Sequence, residues 1–278
     1  MGGRGTYDVG SMGWVDPGGQ SMTQQIVMSE TADGILRVTI NRPSKRNPLS
    51  RAVLDELRRL FEVAAEDYSL SCAILQGAGD KTFASGGDLK ELADVKGEVA
   101  ARDMAEHAKL ALAAVRAFPV PVVAALNGDA LGGGAELSMA CDMRIAAPHA
   151  RIGFIQGRLA ISSAWGGGVD LMRLLGPSVA LQLLTRSEVL DAPTARQIGL
   201  VNAVGDDGLP FEEAVADFLR PMQRQSPHVM RAFKALAMPL RIEGRAVLDL
   251  IETEHFSTTW AHPDHDAAVA GILNTKVG

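Results

Sequence analysis

Residues 121–142 read PVVAALNGDALGGGAELSMACD. The five consecutive apolar residues Val122–Leu126 follow a proline and are too few for an ordinary helix, so they predict a strand buried on both faces. The run Asn127-Gly128-Asp129-Ala130-Leu131-Gly132-Gly133-Gly134 predicts a tight turn, because glycine adopts the required conformations at little steric cost. Small residues Ala135–Ala140 continue as a helix, and Met143–Ala146 reads as another strand. A passage of strand, turn, helix and strand places the chain among α/β proteins.

A similar passage precedes it. The apolar residues of Ile35–Ile40 end at Asn41-Arg42-Pro43, as expected for a strand entering a proline-stopped loop. Ser50 predicts the N-cap of a helix running to about Asp67, whose Val53, Leu54, Leu57, Leu60 and Phe61 recur at three and four. Cys72–Leu75 is a short apolar strand closed by Gly77-Ala78-Gly79-Asp80. Val99–Phe118 predicts a long amphipathic helix that Pro119-Val120-Pro121 ends. The two passages share their order of elements but show no repeat of fixed period.

After Gly166 the pattern is helical: Val169–Leu175, Ser178–Thr185, Ala192–Ile198, Phe211–Gln225, His228–Met238, Ala246–Trp260 and Asp264–Leu273. The expected organisation is a glycine-rich extension over residues 1–21, with Met22 as an alternative start, then a core over 22–205 and a helical region over 206–278.

Composition restricts the function. The 278 residues are 47% hydrophobic, 22% charged and 5% aromatic, so the chain is globular with a core of aliphatic side chains and alanine. A net charge of −6 argues against nucleic acid as a partner, because phosphate binding needs clustered Lys and Arg. No segment has the ~18 apolar residues of a membrane span, and the start lacks signal-peptide character, so a cytoplasmic location is expected. Cys72 and Cys141 lie in apolar settings and predict buried thiols, not a disulfide.

Two glycine turns carry the chemistry. Phe83-Ala84-Ser85-Gly86-Gly87-Asp88-Leu89 follows one buried strand, and Gly132-Gly133-Gly134-Ala135-Glu136 follows another. Free N–H groups at a helix start, aided by its dipole, attract a developing negative oxygen. A pair of such donors stabilises a thioester enolate, each worth ~3 kcal/mol.

These turns, with NRPSKRNPLS (41–50), GDKTFASGGDLKEL (79–92), PVVAALNGDALGGGAELSMACD and ARQIGLVNAV (195–204), resemble the crotonase, or enoyl-CoA hydratase/isomerase, family from about Ile35 to Val204. The resemblance implies a spiral of ββα units with C-terminal helices used for trimer contacts, as a homotrimer or a dimer of trimers. It implies an acyl-CoA substrate, so coenzyme A arrives as part of the substrate and no separate cofactor is expected. It places the two oxyanion donors at Gly87 and Gly133. Lys45 and Arg46 fall near the nucleotide end of coenzyme A, and Ser85, Leu89 and Lys90 line the pantetheine and adenine site. Glu136 matches the first of two carboxylates that hydratases of the family use on water.

The second carboxylate position falls on Gln156, which neither gives nor takes a proton at neutral pH. Loss of an acid or base costs ~10²–10⁴-fold, so an ordinary two-carboxylate hydration is impaired. Hydration or isomerisation through Glu136 alone, and an acyl-CoA-binding protein without turnover, remain as readings. So does decarboxylation of an ethylmalonyl- or methylmalonyl-type thioester, since a neutral Gln156 does not repel a substrate carboxylate. Ser163-Ala164-Trp165-Gly166-Gly167 and Thr259-Trp260-Ala261-His262-Pro263 are similar to the family's ethylmalonyl-CoA decarboxylase branch.

Other constellations are weak. Gly176-Pro177-Ser178-Val179-Ala180 lacks the last glycine of a nucleophile elbow, and no phosphate-binding glycine loop with its Lys is present. His262-Pro263-Asp264-His265 reads as a helix start and not as a metal site, and none is expected. His107 and His149 are expected to be solvated, and Asp88 to fix the Gly87 turn through backbone hydrogen bonds.

Overall fold

The computed structural model describes residues 25–275; the expected extension at 1–21 lies outside them. The strands are β1 (Val27–Ala32), β2 (Ile35–Ile40), β3 (Cys72–Gly77), β4 (Thr82–Ala84), β5 (Val122–Leu126), β6 (Asp129–Leu131), β7 (Met143–Ala146), β8 (Arg151–Gly153), β9 (Val189–Asp191) and β10 (Ala203–Val204). They form two sheets, ordered β1-β2-β3-β5-β7-β10 and β4-β6-β8-β9. The larger is parallel apart from β1 against β2, and the smaller is parallel apart from β8 against β9.

Consecutive strands alternate between the sheets: β3 then β4, β5 then β6, β7 then β8. Each pair leads into helix, so the chain winds as ββα units. The helices of this winding are α1 (Arg51–Ala64), α2 (Leu89–Leu92), α3 (Gly97–Ala117), α4 (Gly133–Ala140) and α5 (Gly167–Arg186). A short α6 (Ala192–Gln197) precedes the last strand, and α7 (Phe211–Gln223), α8 (Pro227–Ile242), α9 (Arg245–Ala261) and α10 (Pro263–Thr275) complete the chain.

Local chemistry explains the main elements. Ser50 Oγ accepts from Val53 N at 3.3 Å and caps α1, which buries Val53, Leu54, Leu57 and Phe61. All five residues of β5 are buried, as a parallel strand covered on both faces requires. Ala101, Ala105, Ala108 and Ala111 are buried in α3, and these small side chains let α9 pack closely along it. Helix α5 is broken at Gly176 (φ 76°) before Pro177, so the two helices expected there are present as its two parts on either side of a kink.

Three differences from the sequence reading share a cause. The glycine-rich run 127–134 contains β6, the Phe83 turn begins as β4, and β1 has no alternating pattern because five of its six residues are exposed. Three-residue strands are too short to show a period, and an exposed edge strand has no face to bury. Both cysteines are free and buried, and burial pushes their thiols up, Cys72 to about 11 and Cys141 to about 12. No helix among the described residues is long and apolar enough to cross a membrane.

Candidate active site

The two glycine turns lie side by side, after the paired strands β4 and β6 of the smaller sheet. At the first, Leu49 N donates to Gly86 O at 2.8 Å and Asp88 N donates to Leu49 O at 3.3 Å. These bonds bracket Gly87, whose own N–H donates to no described residue. Asp88 fixes the turn as expected, capping α2 by accepting from Lys90 N at 3.2 Å. It also pairs with Arg42 Nη2 at 2.9 Å.

At the second turn, Gly132 (φ 54°) donates its N–H to Gly153 O at 2.9 Å, and Glu136 N donates to Gly132 O at 3.0 Å as the first bond of α4. Gly133 opens the helix, two residues before the expected start at Ala135, and its N–H has no partner among the described residues. The turns touch: a Cβ on Gly86 would lie 3.3 Å from Gly133 N and 3.2 Å from Leu131 O. The structure therefore brings together two unpaired backbone donors.

Across them lies the indole of Trp165. A Cβ on Gly133 would fall 2.3 Å from Trp165 Cζ3, and one on Gly87 would fall 3.7 Å from Trp165 Cη2. Glu136 stands one turn after Gly133 on the same side of α4. Its carboxylate is 2% exposed. Oε2 accepts from Trp165 N at 2.8 Å and Gly167 N at 3.0 Å, and Oε1 accepts from Gln156 Nε2 at 2.8 Å and Ala164 N at 3.4 Å. Burial, then the negative charge of Glu252, push its pKa up to about 7, against the lowering effect of these hydrogen bonds.

Gln156 begins a 3-10 turn over Gln156–Leu159 and is buried. Its Nε2 serves Glu136 while Oε1 has no partner. Gln156 also lines a cavity of ≈ 380 Å³ between this turn, α5 and α9, walled mainly by apolar residues such as Phe154, Met172 and Leu248. A second cavity, ≈ 310 Å³, opens beside Asp88, Leu92, Val95 and Met104, with Trp165 in its wall.

The residues matched to coenzyme A positions sit less closely. Leu89 and Lys90 are exposed on α2, next to the Gly87 turn, and Ser85 is half-buried in it. Lys45 and Arg46 are exposed on a loop that Asn47 ties to Ala78 O at 3.0 Å and Thr82 O at 2.7 Å, and neither makes an ion pair with a described residue. The histidines are not at the glycines. His149 Nε2 meets Asp80 O at 2.7 Å, and His107 lies 3.1 Å from Asp55. Pro263 begins α10 as read, and no group of three or more His, Cys, Asp or Glu among the described residues is placed to hold a metal.

The sequence reading missed a buried ionic layer behind Trp165. Arg116 Nε donates to Asp170 Oδ2 at 2.7 Å, and Arg245 Nη1 donates to Asp170 Oδ1 at 2.6 Å. Burial holds the Arg116 guanidinium below its usual range, with Asp170 acting the other way. Glu252 pairs with Lys109 at 3.1 Å. These residues sit on separate helices, and each partner lies far away in sequence, so no local pattern marks them.

Two abutting glycine turns above a buried carboxylate, on a ββα winding of two sheets, define the class of crotonase-fold proteins. Residues 30–270 match the enoyl-CoA hydratase/isomerase family, and the chain belongs to that family. It is 31% identical over 257 residues to a crotonyl-CoA hydratase of Syntrophomonas wolfei, covering 92% of this chain and 97% of that protein. It is 36% identical over 243 residues to the 2,3-dehydroadipyl-CoA hydratase of Escherichia coli, covering 87% and 93%. The crystal structure of an enoyl-CoA hydratase from Bacillus anthracis superposes with a TM-score of 0.74 at 33% identity, covering 84% of this chain and 90% of that one.

Proposed function

We propose that the protein is an acyl-CoA lyase that holds the thioester oxygen between the N–H groups of Gly87 and Gly133 and works through the enolate. The observation that carries this reading is the pair of unpartnered donors on touching turns. Each such donor stabilises a developing oxyanion by ~3 kcal/mol. Glu136 is the proton-transferring group. The Oε2 atom is held by two good backbone bonds, so Oε1, with one short and one long bond, is the oxygen that exchanges the proton. Ser85, Leu89 and Lys90 would flank the pantetheine arm, and Lys45 and Arg46 would meet the phosphates at the nucleotide end. Coenzyme A enters as part of the substrate.

Hydration is the first reading, supported by the named activities of the relatives. In it the ionised Glu136 takes a proton from the water whose oxygen adds to the β-carbon, and the protonated Glu136 then gives that proton to the α-carbon of the resulting enolate, which leaves the carboxylate ionised again.

Decarboxylation of a malonyl-type thioester is the second, and Gln156 favours it. With no second carboxylate at that position, a substrate carboxylate meets an amide instead of a like charge. The C–C bond breaks, CO₂ leaves, its bonding pair becomes the enolate, and protonated Glu136 returns a proton to carbon. Apolar Phe233, Leu236, Leu240, Val247 and Leu250 are exposed on α8 and α9, which supports burial of these helices in a homotrimer or a dimer of trimers. A cytoplasmic protein fits this reading.

Initial rates on crotonyl-CoA, a 3-enoyl-CoA and ethylmalonyl- or methylmalonyl-CoA test it. Turnover of none of them would overturn the lyase reading, and fast hydration without CO₂ release would remove the decarboxylase. The sign of the pH limb adds a second discrimination, because the Glu136 carboxyl titrates at about 7. If Glu136 must be ionised, kcat/KM rises through that pH; if it must be protonated, kcat/KM falls.

A further inference from the structure

Segment 163–167 hangs from two buried carboxylates on different helices. From α4, Glu136 accepts the N–H groups of Ala164, Trp165 and Gly167. From α9, Glu252 Oε2 accepts Gly166 N at 2.8 Å and Oε1 accepts Ser163 Oγ at 2.9 Å. The carbonyls of the same segment are held on the far side, Trp165 O by Arg116 Nη2 at 3.3 Å and Gly166 O by Arg245 Nη2 at 3.0 Å. Every residue from 163 to 167 thus has a charged partner. The one large side chain among them, Trp165, is the indole that lies against Gly87 and Gly133.

We propose that Glu252 is a positioning residue of this site: with Glu136 it suspends Ser163–Gly167, sets the Trp165 ring against the two glycines, and supplies the fixed negative charge under which Glu136 exchanges its proton. This deepens the reading of Glu136 as the proton-transferring group and rests on it.

The surroundings of Glu252 suit the role. It is buried, and Lys109 of α3 pairs with it at 3.1 Å while also donating to Asp249 O at 2.6 Å and Thr253 Oγ1 at 2.8 Å. The other charged or titratable groups packed around the segment are Arg116 of α3, Asp170 of α5, and Arg245, Asp249 and His255 of α9. Asp170 is matched by Arg116 and Arg245 at 2.7 and 2.6 Å, and Arg245 also meets Asp249 at 3.2 Å. Burial and Glu252 are also the two influences that push the Glu136 carboxyl up. Glu252 lines the cavity that Gln156 also lines, and its role there is to act through the segment and through its charge.

The test is the pH dependence of kcat/KM for the full-length protein on whichever CoA thioester it turns over, with Glu252→Gln and Lys109→Gln beside the wild type. Glu252→Gln keeps an acceptor for Gly166 and removes the charge. The apparent pKa is expected to fall by about one unit, with kcat at least tenfold lower and KM within about threefold. Lys109→Gln leaves the charge of Glu252 unopposed and moves the apparent pKa the other way. It serves as the second arm if Glu252→Gln does not fold. A profile that stays in place in a folded Glu252→Gln, or in Lys109→Gln, overturns the proposal. Glu136→Gln separates the two levels. If it is inactive while the other variants leave the profile unmoved, only the role of Glu252 fails; if it is fully active, the reading of Glu136 fails and the role of Glu252 fails with it.

Discussion

Gly133 and Gly134 are neighbours that are glycine for different reasons. A Cβ on Gly134 would sit 2.0 Å from Ala84 O, inside the backbone of β4, so the position lets α4 pack directly on that strand. The three atoms nearest a Cβ on Gly133 all belong to the Trp165 ring, the first at 2.3 Å, and a ring can tilt where a strand cannot. Gly134→Ala is therefore expected to destabilise by at least ~3 kcal/mol or to prevent folding, read by urea denaturation. Gly133→Ala is expected to fold with a lower melting temperature and to lose about 10²-fold or more in kcat/KM, because the displaced indole and the new methyl crowd the donor pair. Equal effects of the two changes on stability would contradict this assignment.

At this scale much of the site was legible in the sequence. Gly87, Gly133, Glu136 and Gln156 fall in short runs that resemble the family's, and it is that resemblance which marked them as candidates. Glu252, Arg245, Asp170 and Arg116 were not legible, because each has meaning only through a partner on another helix. Arg245, read alone at the start of a helix, is one more surface cation, yet it reaches Gly166 O and Asp170.

Among the elements, those that bury a regular face could be read, and those stabilised from outside could not. Helix α1 shows both its cap and its stripe in sequence, and the structure has them at Ser50 and at Val53, Leu54, Leu57 and Phe61. Only the end differs, Ala64 against about Asp67, because the last residues follow turn geometry and bury no face. Ser50→Ala removes the acceptor for Val53 N and is expected to cost about 1 kcal/mol, seen as a lower urea midpoint with an unchanged slope. Strands β4, β6 and β8 have three residues each and are held by their neighbours in the smaller sheet. Their sequences carry turn signals because the chain does turn on both sides of each. The inter-sheet winding therefore came from the family resemblance, not from periodicity.

Over the whole molecule, the helical region is joined to the core by charge as well as by apolar packing. Asp142, just past α4, accepts from Lys234 at 2.7 and 2.5 Å and from Arg241 at 2.7 Å, both on α8, while also accepting Val122 N at 2.8 Å. Arg241 adds bonds to Met139 O at 2.9 Å and Ala140 O at 3.1 Å, closing the C-terminal end of α4. Burial pushes the Lys234 ammonium down and Asp142 pushes it back up. Asp142→Ala leaves this ammonium buried without its partner and is expected to cost ~3–5 kcal/mol. Double replacement with Lys234→Met is expected to recover part of that loss, measured as the coupling in a double-mutant cycle. An additive cycle would show that the pair does not tie the region down. Met230, Phe256 and Trp260 join the same apolar core as the sheets, so α8 and α9 are part of the packing that holds the glycine turns in place.

The position of Trp165 also has an optical consequence. Of the two tryptophans among the described residues, Trp165 lies against the two glycine turns, whereas Trp260 packs between Phe256 and His265 on the helical side. Any molecule that enters between Gly87 and Gly133 changes the polarity around that one ring. The protein therefore contains its own emission probe, and a titration with a non-reacting CoA thioester would report occupancy of the site without a label.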